Sequence, residues 1–369
     1  MFESLNGILL VILDCLEKVL RSQNLSAEES SKLMEEILSG EATSTQTAAF
    51  LVALAMKGET EEELLGMARV LRGKTYLFSQ YGPVEVGLAN TERRMLTGAG
   101  PAAAEAPGES VAPGSTFNIA SAVAFVVAGA GVRVLQQGHR TSGNELEGGN
   151  ELESAAVIES LGINTRLPAW KIAQCLSEVG LGFVYEPVIS QAMERILFAF
   201  REIPVPTAFN LLLPMLNPGG APALALGVHS AGVVETVARV LARMGVRRAF
   251  VFHGSDGLDE ITNTGPTLVA EVNDGKIQTR RIEPGDFGIA AGRFEDLAGG
   301  DARRSADIIE SILEGEHGPR RNVVLLNAAP GIVCGGKARD LAEGFRLAGE
   351  AIDSGRARAV LRRLAHFSH

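Results

Sequence analysis

From about residue 84 onward the chain alternates short β-branched runs with apolar helical stretches, and no other feature constrains its fold as strongly. Elements in that alternation bury their apolar faces as a mostly parallel sheet covered by helices on both sides. The candidate strands are Val132–Leu135, Ala249–Phe252 and Val323–Leu326. Ile119–Gly129, Glu153–Leu161, Ala231–Arg243 and Arg304–Leu313 are the long candidate helices. Thr267–Val272 and Lys276–Ile282 flank Asn273, Asp274 and Gly275, and the Asp-Gly pair predicts a hairpin there.

Residues 1–75 read as helix only. Ser26 with Glu29, Thr43 with Gln46 and Thr60 with Glu63 have the spacing of capping boxes, and Gly40, Gly58 and Gly73 supply the stops. Leu33, Ile37, Phe50, Leu54, Leu64, Met67 and Leu71 recur at helical spacing, so short helices must bury these faces against one another or a partner. The expected architecture is α/β: a small N-terminal helical domain (1–75) and a larger α/β domain formed by 76–168 and 201–369. Helices at Ala169–Val179 and Gln191–Phe198, within about 169–200, are expected to return to the helical domain, which also offers a surface for a homodimer. Pro101–Pro113 and Gly143–Gly149 are too rich in Pro, Ala, Gly or repeated polar residues to pack as elements, and read as loops.

Composition narrows the function classes. Net charge is −10, pI is near 5.3, and Lys and Arg are scattered rather than gathered in a stripe, which argues against a nucleic-acid partner. The three cysteines, Cys15, Cys175 and Cys334, lie far apart without a CxxC, so neither a disulfide framework nor a structural zinc site is expected. Ile8–Leu13 is apolar but short and stands between Glu3 and Asp14, unlike a signal peptide or a membrane span. A cytoplasmic protein with no membrane partner is the expectation.

Chemistry concentrates at loops that follow strands. HGSDGLDE, His253 to Glu260, leaves the apolar run Ala249–Phe252 and carries Asp256, Asp259 and Glu260. Loops at the carboxyl ends of parallel strands face the ligand crevice of an open α/β sheet, and hard cations take carboxylate oxygens. A Mg²⁺ shared with a phosphorylated substrate and a polar loop with helix-capping acids fit this pattern equally. GSTFNIAS, residues 114–121, opens an apolar helix, where free backbone N–H groups bind an anion or where Ser115 or Thr116 simply caps the helix. Gly98, Ala99 and Gly100 offer a second tight turn. QQGHR supplies Gln136, Gln137, Gly138, His139 and Arg140, of which Arg140 suits bidentate contact with phosphate. PTAFNLLLPMLNPGG, residues 206–220, with Asn210, Pro214, Asn217 and Pro218, reads as a rigid turn walling the crevice.

These stretches occur in the order GEATSTQTAAFLVALAMKGETEEEL, TFNIASAVAFV, GVRVLQQGHR, LSEVGLGFVYEP, FN…P…LNP, HGSDGLDEI and VVLLNAA, over about residues 20–360. In that order they resemble the anthranilate phosphoribosyltransferase family, relatives of the pyrimidine nucleoside phosphorylases. The resemblance implies a helical domain joined to an α/β domain, and transfer of phosphoribose from phosphoribosyl pyrophosphate to anthranilate or a related aromatic amine, with Mg²⁺ as cofactor. It assigns Asp259 and Glu260 to the metal, and Gly98, Gly100, Thr116, Asn118, Ser121, Gln136, Gly138, His139, Arg140 and Arg201 to phosphates and substrate. Departures from the family pattern are specific. TGAGP and a long Pro- and Ala-rich insertion replace GTGGDG, and NIST is NIAS with Ala120. KHGNR is QQGHR, placing Gln136 for a lysine, Gln137 for a histidine and His139 for an asparagine. Phe200 aligns with a family arginine, with Arg201 beside it, and Leu213 stands for the glycine of FNxLGP. Each cation removed beside a phosphate costs about 1.5–3 kcal/mol. A catalytically impaired paralogue with a binding or regulatory role is therefore the second reading beside the transferase.

Overall fold

The computed structural model describes residues 11–74, 84–91, 116–138, 154–185, 203, 205–216 and 218–369. At its amino end stand four helices, α1 (Val11–Leu20), α2 (Ala27–Ser39), α3 (Ser44–Lys57) and α4 (Glu61–Gly73). The three anticipated capping boxes are all formed, each with side-chain and backbone bonds in both directions. Glu36 serves α1 from outside, accepting the N–H of Val11 at 2.5 Å and that of Ile12 at 3.2 Å, donors that α1 itself cannot satisfy. Buried Glu63 accepts from Leu25 N at 2.9 Å and Thr60 N at 2.8 Å and pairs with Lys57 at 3.0 Å, tying three helix ends together.

The larger unit is a seven-stranded sheet in the order β3-β2-β1-β4-β5-β6-β7. Its strands are β1 (Val86–Asn90), β2 (Val134–Gln137), β3 (Leu181–Val184), β4 (Ala223–Gly227), β5 (Arg248–Gly254), β6 (Thr267–Asn273) and β7 (Lys276–Ile282). The first five pair in parallel, and β6 and β7 add antiparallel at one edge. The expected Asp-Gly turn is present, with Asp274 at φ 44° and Gly275 at φ 82°. Alternation along β5 sends Phe250 and Phe252 into one hydrophobic core and Ala249 and Val251 into another, on opposite faces.

On one face lie α5 (Ile119–Gly129), α6 (Ser154–Ser160), α10 (Ala302–Leu313), α11 (Pro319–Cys334), α12 (Leu341–Asp353) and α13 (Arg356–Phe367). The other carries α8 (Ala208–Met215) and α9 (Val234–Arg243), whose core is continuous with that of α1–α4. Among the described residues no helix is long and apolar enough to cross a membrane.

Three expectations are corrected. Val323–Leu326 is not a strand but part of α11; all four residues are buried, and an apolar run buried on every side has no period to separate helix from strand. Helix α7 (Ala169–Glu178) does not return to the helical bundle but packs on β3, with Ile172 and Leu176 against Val84, Leu135 and Val184. It is α8 that reaches α3 and α4, and residues 208–215, expected as a turn, are helical despite Pro214. Gln191–Phe198 and both expected insertion loops lie outside the described residues.

Candidate active site at the carboxyl edge of the sheet

Parallel pairing brings the carboxyl ends of β1, β2, β3, β4 and β5 to one edge. There the segment after β5 forms the best-defined constellation. Gly254 pairs with Thr267 across the β5–β6 ladder, so the acidic loop leaves one strand and enters its neighbour. Asp256, a candidate for the cation by sequence, instead organises the loop: its carboxylate accepts from Leu258 N at 3.2 Å and from the hydroxyls of Thr262 and Thr264. His253 is buried with Nδ1 at 2.8 Å from the Val228 carbonyl, bonding β5 to the end of β4.

Asp259 and Glu260 stand beyond this turn, Glu260 buried and Asp259 partly exposed. Their backbone lies across the ends of β1 and β4. Asn90 Nδ2 donates to the Asp259 carbonyl at 2.6 Å, and a Cβ placed on Gly227 would collide with that same carbonyl oxygen. From the opposite side, Asn327 of α11 accepts Ile261 N at 2.7 Å and donates to Ile261 O at 2.8 Å. Sequence reasoning reaches Asn327 only as part of VVLLNAA and misses Asn90; a lone polar residue within the apolar run from Val323 to Val333 is the signal available for the former.

α5 joins β1 to the parallel strand β2, so its first turn also falls at the carboxyl edge. Asn118 is its N-cap, accepting Ser121 N at 2.9 Å, in place of the Ser115 or Thr116 cap expected from sequence. Thr116 forms an isolated bridge with Ala298, and Phe117 N donates to Leu297 O at 3.0 Å, fixing the approach to the helix. The hydroxyls of Ser121 and of Thr91, which directly follows β1, are buried without a hydrogen-bond partner among the described residues. Buried polar groups left unsatisfied in this way cost about 1–3 kcal/mol each and call for a ligand or water.

At the end of β2, Gln136 is buried and donates to the Gln137 carbonyl at 2.9 Å, while Gln137 donates to Leu213 O at 3.0 Å. The amide oxygens of both glutamines are buried and unpartnered among the described residues. Gly138 N donates to Val184 O at 2.9 Å, and its bare Cα accommodates the ring of Tyr185. Thus Thr116, Asn118, Ser121, Gln136, Gly138, Asp259 and Glu260 all belong to one edge of the sheet. Gly98, Gly100, His139, Arg140 and Arg201 lie outside the described residues.

Among the described residues no three His, Cys, Asp or Glu side chains gather as a complete metal cage. Mg²⁺ does not require one: it is usually held by one or two carboxylates, with waters and substrate phosphates filling the octahedron. The adjacent pair Asp259–Glu260, hard oxygen donors at a crevice edge with unsatisfied hydroxyls nearby, fits a cation carried in by a phosphorylated substrate.

A helical bundle in series with a parallel sheet that presents an acidic pair and a helix start at its carboxyl edge defines a class, the glycosyl transferase family. The helical bundle domain of that family matches residues 13–75 and its a/b domain matches residues 113–358. The anthranilate phosphoribosyltransferase of Pelotomaculum thermopropionicum is 42% identical over 358 residues, 97% of each chain. That of Geobacter sulfurreducens is 42% identical over 356 residues, 96% of this chain and 98% of its own. This chain belongs to the anthranilate phosphoribosyltransferase family. The solved enzyme of Thermus thermophilus superposes with a TM-score of 0.80 at 30% identity, covering 96% of this chain and 99% of its own. The Saccharomyces cerevisiae enzyme, solved in complex with PRPP and Mg, shares the fold with a TM-score of 0.76 at 20% identity over 97% of each chain.

Proposed function

We propose that the chain transfers the phosphoribosyl group of phosphoribosyl pyrophosphate to anthranilate or a closely related aromatic amine. The C1–oxygen bond to pyrophosphate breaks, a C1–nitrogen bond to the amine forms, and the amine gives up a proton. The observation that carries this reading is the clamped Asp259–Glu260 pair at the carboxyl edge, the edge to which the α5 start also belongs, with the Ser121 and Thr91 hydroxyls buried and unpartnered among the described residues.

Asp259 and Glu260 would hold Mg²⁺, and when bound the ion offsets charge that develops on the departing pyrophosphate. Thr116, Asn118 and Ser121 at the α5 start face phosphate oxygens. With its side-chain oxygen engaged by Ser121 N, Asn118 contributes by fixing the first turn, while the Ser121 hydroxyl is available to a ligand. Gln136 and Gly138 belong to the phosphate and substrate contacts, and the buried amide oxygen of Gln137, where the family has a histidine near the amine, suits an N–H donor of the acceptor. Gly98, Gly100, His139, Arg140 and Arg201 complete the phosphate and substrate contacts in this reading. Neutral Gln136 in place of a cation leaves more of the pyrophosphate charge to the metal.

Exposed Leu20 of α1 and Met56 of α3, two helices in mutual contact, support a homodimer through the helical bundle. The free thiols of Cys15, Cys175 and Cys334 suit a cytoplasmic setting.

Calorimetry with phosphoribosyl pyrophosphate and Mg²⁺ tests the donor half, and loss of anthranilate fluorescence tests transfer. Binding with turnover is expected. Binding without anthranilate turnover would move the acceptor to another amine, and no binding at millimolar ligand would sink the transferase reading in favour of the impaired paralogue.

A further inference from the structure

Glu260 is the residue of the acidic pair whose two flanking peptide groups are each gripped by a side-chain amide. The peptide that joins it to Asp259 is held through its carbonyl, which accepts from Asn90 Nδ2 at 2.6 Å. The peptide that joins it to Ile261 is held through its N–H, which donates to Asn327 Oδ1 at 2.7 Å. With both peptides held, the backbone of Glu260, and hence the direction in which its side chain leaves it, is restrained by two asparagines distant in sequence.

Asn327 is built for this task. It is 3% exposed, in the middle of the 16-residue helix α11. Its amide reads both polar groups of one residue, accepting Ile261 N and donating to Ile261 O at 2.8 Å, as a neighbouring strand would. A further bond from Nδ2 to Val323 O at 2.8 Å, one turn back in its own helix, opposes rotation of the amide. A second tie runs from Asn263 Nδ2 to Pro319 O at 2.8 Å, fastening the end of the acidic loop to the start of the same helix.

Both anchoring elements also pack against α5. α11 lies against α5 and β1, so closely that a Cβ on Gly331 would meet Val127 at 3.0 Å and Leu88 at 3.3 Å. The acid pair is thereby tied to the same two elements that carry α5. A loop that needed only to be closed is already closed by the Gly254–Thr267 pairing and by Asp256 with its threonines. Two additional amides aimed at the peptides around Glu260 do something closure does not require.

We infer that Asn90 and Asn327 are positioning residues that set the Asp259–Glu260 carboxylates for a divalent cation carried by a diphosphate substrate. The ligand in this inference rests on the phosphoribosyl-transfer reading, and the geometry rests on the hydrogen bonds alone. Residues that orient metal ligands from behind typically change metal affinity or activity by about 10–100-fold when removed.

The test uses Asn327→Leu, close in volume but without any of the three side-chain bonds, and Asn90→Ala. In the metal-free protein, amide hydrogen exchange over residues 258–263 should quicken in both variants while β4 and β5 keep their protection. In calorimetric titrations with phosphoribosyl pyrophosphate, the Mg²⁺ midpoint should rise about 10–100-fold. Placed in an Asp259→Asn, Glu260→Gln background, either change should have no further effect, because the carboxylates it positions are gone. An unchanged Mg²⁺ midpoint in folded variants, or an additive effect in that background, overturns the inference. Should Asn327→Leu fail to fold, Asn90→Ala at the partly exposed end of β1 decides the question by the same two measurements. Wild-type protein that shows no Mg²⁺-dependent binding overturns the functional reading, and normal exchange in both variants then overturns the clamp separately.

Discussion

Replacing Gly227 with alanine is the sharpest probe of the acidic loop, because it pushes on that loop from outside the chemistry. A Cβ on Gly227 would lie 2.7 Å from Asn90 Nδ2, with the Asp259 carbonyl oxygen closer still, and both belong to the contact that holds the loop against β1. Ordinary carbon contacts begin near about 3.5 Å, so the Asp259 peptide must withdraw by roughly 1 Å or more. β4 cannot yield in its place: it lies inside the sheet, paired to β1 on one side and β5 on the other. Overpacking of this kind costs about 1–3 kcal/mol of stability, which a chain of this size survives. A displacement of about 1 Å at a reacting centre can cost about 100-fold in rate. Gly227→Ala should therefore fold, melt a few degrees lower by circular dichroism, and lose Mg²⁺-dependent binding and turnover by about two orders of magnitude. A folded variant within twofold of wild type in both assays would refute the claim that the position of the acid pair governs the site.

Other outcomes follow from the same geometry. Asp259→Asn combined with Glu260→Gln should abolish the Mg²⁺ dependence of phosphoribosyl pyrophosphate binding in calorimetry; retention of that dependence would make the pair structural only. Glu63→Leu strands the buried Lys57 ammonium and the Leu25 and Thr60 N–H groups, and urea unfolding should register a loss of about 3–5 kcal/mol, whereas less than about 1 kcal/mol would show that the pair is solvated. Burial pushes the Cys15 thiol from 9.0 up to about 12. A thiol raised in the folded state contributes stability below its unfolded value and loses it as pH climbs through the folded one. Unfolding free energy should thus decline between pH 9 and about 12, a decline that Cys15→Ala should flatten. If the bundle face carrying Leu20 and Met56 forms a dimer, Met56→Glu should halve the mass seen by light scattering; an unaltered mass would place the interface elsewhere.

Local signals decide how much of the molecule can be read from its residues. Capping boxes are legible because Ser26, Thr43 and Thr60 with their partners three residues on satisfy backbone donors without help from the rest of the fold. The Asp-Gly hairpin is legible for the same reason: positive φ at Asp274 and Gly275 is a property of those two residues. Val323–Leu326 misleads because β-branching and complete burial carry no period, although Pro319 at the first turn and Gly335 at the end mark a helix of α11's length. At the site, the acid pair can be found by its chemistry and its place after a strand. Its supports cannot: Asn90 and Asn327 matter through partners at sequence separations of 169 and 66, which only the fold brings together. Asp256 passes for a metal candidate in the sequence because its competitors, the hydroxyls of Thr262 and Thr264, come into range only when the loop closes on itself.

The route of the chain through β5 and β6 has a consequence for how such a protein can change. Most crevice loops of a parallel sheet lead away to a helix, so their length and sequence can drift while the strands stay in place. The acidic loop instead goes out and back between adjacent strands of one ladder, closed where Gly254 meets Thr267. Any inserted or deleted residue must be absorbed inside that closed circuit or must slip the register of the whole antiparallel edge. The segments leaving β1 and β2 lead on to α5 and α6, and in them this sequence departs from the family pattern. A lineage built on this plan can exchange what it recognises around the crevice and still keep the acid pair where it stands.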